Sequence, residues 1–130
     1  MTVLDLSIII PAYNEEALIV STLESLRSYM MARSEQYEII VVDDGSQDKT
    51  VTLIQEWQKK NDTVLQLFIN QRNMGKGFSI RRGVMESCAQ NVIFIDADLP
   101  YELHAIDDFL KALKNGYDLA IGSRVLPGSE

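Results

Sequence analysis

The sequence predicts an α/β fold built on a mainly parallel, doubly wound sheet. Three observations carry that prediction. Short apolar runs alternate with amphipathic helical segments four times over, and strand–helix–strand alternation implies right-handed crossovers and parallel pairing. The runs are nearly continuous in apolar residues, as strands covered on both faces are. One run, Val92-Ile93-Phe94-Ile95, leads straight into Asp96-Ala97-Asp98. That places two carboxylates at the carboxyl end of a strand, where open α/β sheets bind ligands.

Taken in order, Leu6-Ser7-Ile8-Ile9-Ile10 reads as the first strand. Asn14 then suits a helix N-cap, with Glu15 and Glu16 in a first turn whose dipole favours acids. Ile19, Leu23, Leu26 and Met30 give that helix one apolar face. Ile39-Ile40-Val41-Val42 forms the second strand, and Val51, Ile54 and Trp57 mark the second helix. Leu65-Gln66-Leu67-Phe68-Ile69 forms the third strand, and Ile80, Val84 and Cys88 are expected to face inward from the third helix. After the fourth strand, Ile106, Phe109, Leu110 and Leu113 define a helix that Gly116 can end at C′. Leu119-Ala120-Ile121 supplies a fifth strand. No repeat, low-complexity segment or internal linker interrupts the series, so residues 1–130 are read as a single domain. Trp57 and the methionines fit core or rim packing. His104 reads as a surface or capping residue, and Glu102, Asp107 and Asp108 as the solvated face of the last helix.

The 130 residues, 46% of them hydrophobic, suffice for one real core. A net charge of -7 argues against nucleic acid as a partner. Within that acidic chain, Arg72, Lys76, Arg81 and Arg82 cluster, either to meet an anionic ligand or as a solvated surface. The single cysteine, Cys88, excludes an internal disulfide and a cysteine zinc site, and suits a reducing compartment. Met1-Thr2-Val3-Leu4-Asp5 lacks the basic start of a signal peptide, and no stretch reaches the roughly 20 apolar residues of a membrane span. The chain is therefore expected to be soluble and cytoplasmic.

In a parallel sheet every strand-to-helix loop falls on one edge, so their contents can be pooled. Side chains two apart on an extended segment share a side, so Asp96 and Asp98 can share one cation. Mg²⁺ is usually held by one or two carboxylates plus substrate phosphates. The same acids could instead only solubilise a loop. Tyr13 offers either a stacking face or ordinary packing. Asp44 either accepts from a base N–H or a ribose hydroxyl, or serves a turn beside Gly45. Gly75 and Gly77 allow close backbone approach at a helix start that favours anions, though the glycine spacing is not that of a P-loop. Arg124 can grip a diphosphate or stand on the surface. Together these loops describe a pocket for a polar, phosphorylated ligand.

Read as a set, Ile8-Ile9-Ile10-Pro11-Ala12-Tyr13-Asn14-Glu15, Ile39-Ile40-Val41-Val42-Asp43-Asp44-Gly45-Ser46, Asn73-Met74-Gly75-Lys76-Gly77, Asp96-Ala97-Asp98-Leu99 and Gly122-Ser123-Arg124 resemble the family-2 glycosyltransferases. The likeness is strongest to the dolichyl (polyprenyl) phosphate mannosyl- and glucosyltransferase branch. It implies a GT-A fold, a UDP- or GDP-linked hexose donor, Mg²⁺ or Mn²⁺, and transfer with inversion to a polyprenyl-phosphate type of acceptor. Carried over by position, Pro11, Tyr13, Glu15, Val42 and Asp44 would line the nucleoside site. Asp96, Ala97 and Asp98 would form the metal and diphosphate motif, Arg124 would reach the phosphates, and Lys76 would serve the donor side. Asp98 would act through metal-assisted stabilisation of the leaving group, and no general base is assigned. Pro100 departs from the branch, which often has a polar residue there, so water or Glu102 would complete the metal shell. Family members also continue well past the Gly-Ser-Arg motif, so the chain is expected to be the N-terminal, donor-binding part of a larger enzyme. Other readings are a sugar-nucleotide-binding module without turnover, a phosphoacceptor receiver domain and an aspartyl-nucleophile phosphatase. The last two place their acids after other strands than this chain does.

Overall fold

The computed structural model describes residues 4–61, 64–98, 103 and 105–114. In it the alternation becomes β1 (Leu6–Ala12), α1 (Ile19–Met31), β2 (Tyr37–Asp43), α2 (Thr50–Lys60), β3 (Leu65–Ile69), α3 (Lys76–Glu86), β4 (Asn91–Phe94) and α4 (Ala105–Lys114). The four described strands are all parallel, in the order β3-β2-β1-β4. The expected fifth strand and Gly122-Ser123-Arg124 lie outside the described residues, as do Pro100, Glu102, His104 and Gly116.

Alternation along the strands divides the core between the two faces of the sheet. Ile8, Ile10, Ile39, Val41, Leu65 and Ile93 pack with Ile19, Leu23, Leu26 and Met30 of α1, Ile54 and Trp57 of α2, and Ile106 and Leu110 of α4. Ile9, Ile40 and Val42 form a smaller cluster on the opposite face, flanked by Phe68, Val92 and Phe94. That second face is the one α3 covers, with Gly83 against Ile9. The division follows from topology. α1 and α2 lead the chain outward from β1 to β3, whereas α3 must bring it back across β2 and β1 to β4. With right-handed crossovers, the return helix lies on the other face. The strand order therefore reverses at β1, and the loops after β1 and β4 part there to leave a crevice.

Two local expectations are corrected, the cap of α1 and the buried face of α3. Asn14 is not the cap of α1; it takes a left-handed backbone with φ 52°, and the helix starts five residues later without a side-chain cap. Asn14 instead spends its side chain across the loop, where its Oδ1 accepts from Gln47 N at 2.9 Å. The buried residues of α3 are Ser79 and Gly83, not Ile80, Val84 and Cys88. A β-carbon on Gly83 would sit 2.6 Å from Ile9 Cγ2, so the helix lies too close to the sheet for larger side chains. Cys88 lies beyond the end of α3 and is exposed. Trp57 is a core residue, and its Nε1 donates to Glu24 of α1 at 2.7 Å. No helix among the described residues is long and apolar enough to cross a membrane.

Candidate functional site

Four loops converge at the carboxyl edge of the sheet, and hydrogen bonds lock them together. The loops after β1 and β2 are joined residue by residue. Asn14 N donates to Ser46 Oγ at 2.8 Å, Glu15 N to Thr50 Oγ1 at 2.8 Å and Glu16 N to Asp48 Oδ2 at 3.2 Å. In return, Lys49 N donates to Glu16 Oε1 at 2.9 Å. Asp43, fully buried, closes the turn after β2 by accepting from Gly45 N, Ser46 N and Ser46 Oγ. Gly45 has φ +82°, and a β-carbon there would lie 3.0 Å from the Arg72 backbone. Only glycine lets the second and third loops approach so closely.

Asp44 organises the third loop. Its Oδ1 accepts from Asn70 Nδ2 at 2.9 Å and from Met74 N at 2.7 Å, and its Oδ2 accepts from Gly75 N at 2.9 Å. Burial alone would raise its pKa. The hydrogen bonds from Met74, Asn70, Gly75 and Ser79 outweigh burial and hold the carboxyl below its ordinary value. Asp44 is thus first a turn-organising residue; a carboxylate has about four acceptor sites, and three of its hydrogen bonds bind the loop of Lys76. The fourth loop is held from α1, where the buried Thr22 hydroxyl donates to the Ala97 carbonyl at 2.6 Å.

The resulting cleft, about 410 Å³, is lined by Pro11, Ala12, Tyr13, Glu15, Asp44, Asn73, Gly75, Lys76, Ser79, Asp96, Ala97 and Asp98. It lies at the crevice where the strand order reverses. Tyr13 is 43% exposed, which leaves its ring available to a ligand rather than packed in the core. Lys76 Nζ bonds Asp96 Oδ1 at 2.6 Å. Glu15 has its pKa raised, first by burial and then by the charges of Asp98, Asp48 and Asp96. The acids of the first and fourth loops therefore share one region of negative potential. Among the described residues, no three His, Cys, Asp or Glu side chains group so as to hold a metal by themselves.

Eight of the ten residues singled out from the sequence line this cleft: Pro11, Tyr13, Glu15, Asp44, Lys76, Asp96, Ala97 and Asp98. Val42 does not line it, since its side chain is fully buried against Ile9 and Ile40 under α3. Arg124 lies outside the described residues. The sequence reading missed Ser79, which lines the cleft and accepts from Asn70 Nδ2 at 2.9 Å. Its signal was the pair of small residues Ser79 and Gly83, four apart on one helix face. Thr22 was also missed, because nothing local marks a helical threonine as the support of a turn 75 residues away.

Residues 7–130 match the family described as Glycosyl transferase family 2. Among curated relatives, the dolichyl-phosphate beta-glucosyltransferase of Drosophila melanogaster is 37% identical over 93% of this chain and 41% of its own length. The dolichol-phosphate mannosyltransferase of Pyrococcus furiosus is 35% identical over 95% of this chain and 34% of its own. The chain thus spans about two fifths or less of the relatives it matches. Among solved structures, the mannosyltransferase PcManGT from Pyrobaculum calidifontis, in complex with GDP-Man and Mn²⁺, superposes with a TM-score of 0.74. It is 24% identical, and the match covers 86% of this chain and 33% of that one. The shared architecture is of the GT-A type.

Proposed function

The chain belongs to glycosyl transferase family 2, and from that premise we propose that it is the donor-binding part of an inverting hexosyltransferase. In this reading its cleft takes a UDP- or GDP-linked hexose together with Mg²⁺ or Mn²⁺, and the sugar passes to a polyprenyl-phosphate type of acceptor at the cytoplasmic face of a membrane. One observation carries the reading: an exposed tyrosine, a lysine and two carboxylates, from three separate loops, line a single cleft at the reversal of strand order.

Each lining group has a task in it. Tyr13 lies flat against the base, and Pro11 and Glu15 shape the nucleoside end. Asp44 keeps the loop of Lys76 in place, and the ammonium of Lys76 faces the diphosphate. The donor set suits a divalent metal, since Asp96 and Asp98 offer two hard oxygen ligands and leave positions for phosphate and water. The pKa of Glu15 is raised first by burial and then by the charges of Asp98, Asp48 and Asp96, and a bound cation would relieve the second of these. A bound cation would neutralise the charge that builds on the departing diphosphate. An acceptor phosphate is already ionised near neutral pH, so no residue of this chain is assigned as a base. The names of the relatives from Drosophila melanogaster and Pyrococcus furiosus support a lipid-phosphate acceptor.

The test is a calorimetric titration of the chain with UDP, GDP and their glucose and mannose conjugates, with and without Mn²⁺. Metal-dependent binding of at least one is expected, and Asp98→Ala is expected to remove the metal dependence while keeping the fold. Equal binding with and without metal, or an Asp98→Ala chain that binds as the wild type does, contradicts the assignment.

A further inference from the structure

Acids outnumber cations around the cleft: Glu15, Asp44, Asp96 and Asp98 face the single Lys76 among its described lining residues. Asp44 is engaged by the third loop, and Glu15, Asp96 and Asp98 line the rest of the cleft with acids. Lys76 Nζ lies 2.6 Å from Asp96 Oδ1, with the lysine side chain 58% exposed and the aspartate 26%. The anchor of this lysine is fixed, and its tip is exposed. The residues just before it are held by Met74 N and Gly75 N donating to Asp44, and Gly75 takes φ +100° at the entry to α3. Beyond that anchor, a four-carbon stem lets the ammonium swing.

From this arrangement we propose that Lys76 is a displaceable internal counter-cation of Asp96. It holds a carboxylate that a divalent ion needs, and it releases that carboxylate when a diphosphate offers the ammonium another anion. The proposal rests on the donor-binding reading above and adds to it an order of events. A metal arriving alone has to displace an ion pair that is already formed. A diphosphate arriving alone meets the negative field of Glu15, Asp96 and Asp98. When the two arrive together, the metal takes Asp96 and the phosphate takes Lys76, so each favours the other. Such coupling is reciprocal: whatever factor the nucleotide adds to metal affinity, the metal adds to nucleotide affinity. The device would keep the site from holding a metal that has no donor to bind.

The experiment follows Mn²⁺ binding to the intact chain by the electron paramagnetic resonance of free Mn²⁺, without nucleotide and with saturating UDP or GDP. Wild type is compared with Lys76→Met, Lys76→Arg and Arg72→Met. Lys76→Met is expected to bind Mn²⁺ alone about five-fold more tightly, the scale of an exposed ion pair, and to gain less from nucleotide. Lys76→Arg keeps a cation in reach of Asp96, so its affinity for Mn²⁺ alone should stay nearer to wild type than that of Lys76→Met. Arg72→Met removes the same charge from elsewhere in the third loop, at a residue that does not line the cleft, and should change Mn²⁺ affinity by less than about two-fold because a solvated charge with no direct contact to the site is screened. The proposal is overturned alone if wild type gains Mn²⁺ affinity with UDP or GDP while Lys76→Met binds Mn²⁺ alone no more tightly, or no more tightly than Arg72→Met does. A wild type that binds no Mn²⁺ even with either nucleotide overturns the donor-binding reading as well.

Discussion

At the scale of single residues, Asp44 does the most for the fewest atoms. A buried carboxylate is costly unless its oxygens are satisfied, and here the donors are the backbone that carries Lys76. Asp44→Ala should leave those donors unpaired and lower stability by about 2 kcal/mol, read from urea denaturation. An unchanged midpoint would mean that the residue serves a ligand alone. The same hydrogen bonds set a pH dependence. The folded pKa of Asp44 is depressed, so on acidification the unfolded chain takes up the proton first. The stabilisation is whole above the unfolded value of about 4 and is lost as pH falls through the folded one. Wild type should therefore lose stability below about pH 4 more steeply than Asp44→Ala does. The sequence showed Asp44 as a candidate but not its occupation. Its partners Asn70, Met74 and Gly75 lie about 30 residues further on, and only the parallel register of β2 and β3 brings them to it.

At the scale of elements, the helices were legible wherever bulk marks the buried face, and α3 was misread where it does not. α1 buries the expected Ile19, Leu23, Leu26 and Met30, because on that face the sheet and helix are spaced by large side chains. α3 approaches the other face through Ser79 and Gly83, and apolar periodicity cannot report a face defined by lack of volume. Gly83→Val should therefore overpack against Ile9 and destabilise by about 1–3 kcal/mol, whereas Val84→Ala, on the exposed side of the same helix, should cost little. Similar losses for both in thermal or urea unfolding would contradict this assignment of faces. The Asn14 misreading has a related cause. A good cap residue was visible, but its left-handed backbone and its bond to Gln47 depend on a loop 33 residues away.

At the scale of the whole molecule, strand order was the decisive fact that the sequence could only suggest. Alternation implied a parallel sheet, yet the reversal at β1 comes from the route of the chain across the sheet and is written in no single motif. That route brings the loop of Tyr13 and Glu15 beside the loop of Asp96 and Asp98, some 80 residues apart along the chain. The resemblance to family-2 glycosyltransferases, carried over position by position, named most of the lining residues. It also named Val42, whose position next to Asp43 said nothing about which way its side chain turns. The most direct measurement is paramagnetic broadening of backbone NMR signals by Mn²⁺ in the presence of UDP or GDP. Selective loss of signals from residues 12–15, 75–77 and 96–98 is expected, with those of α2 retained. Broadening centred on Asp107 and Asp108 of α4, or none with either nucleotide, would contradict the proposed site.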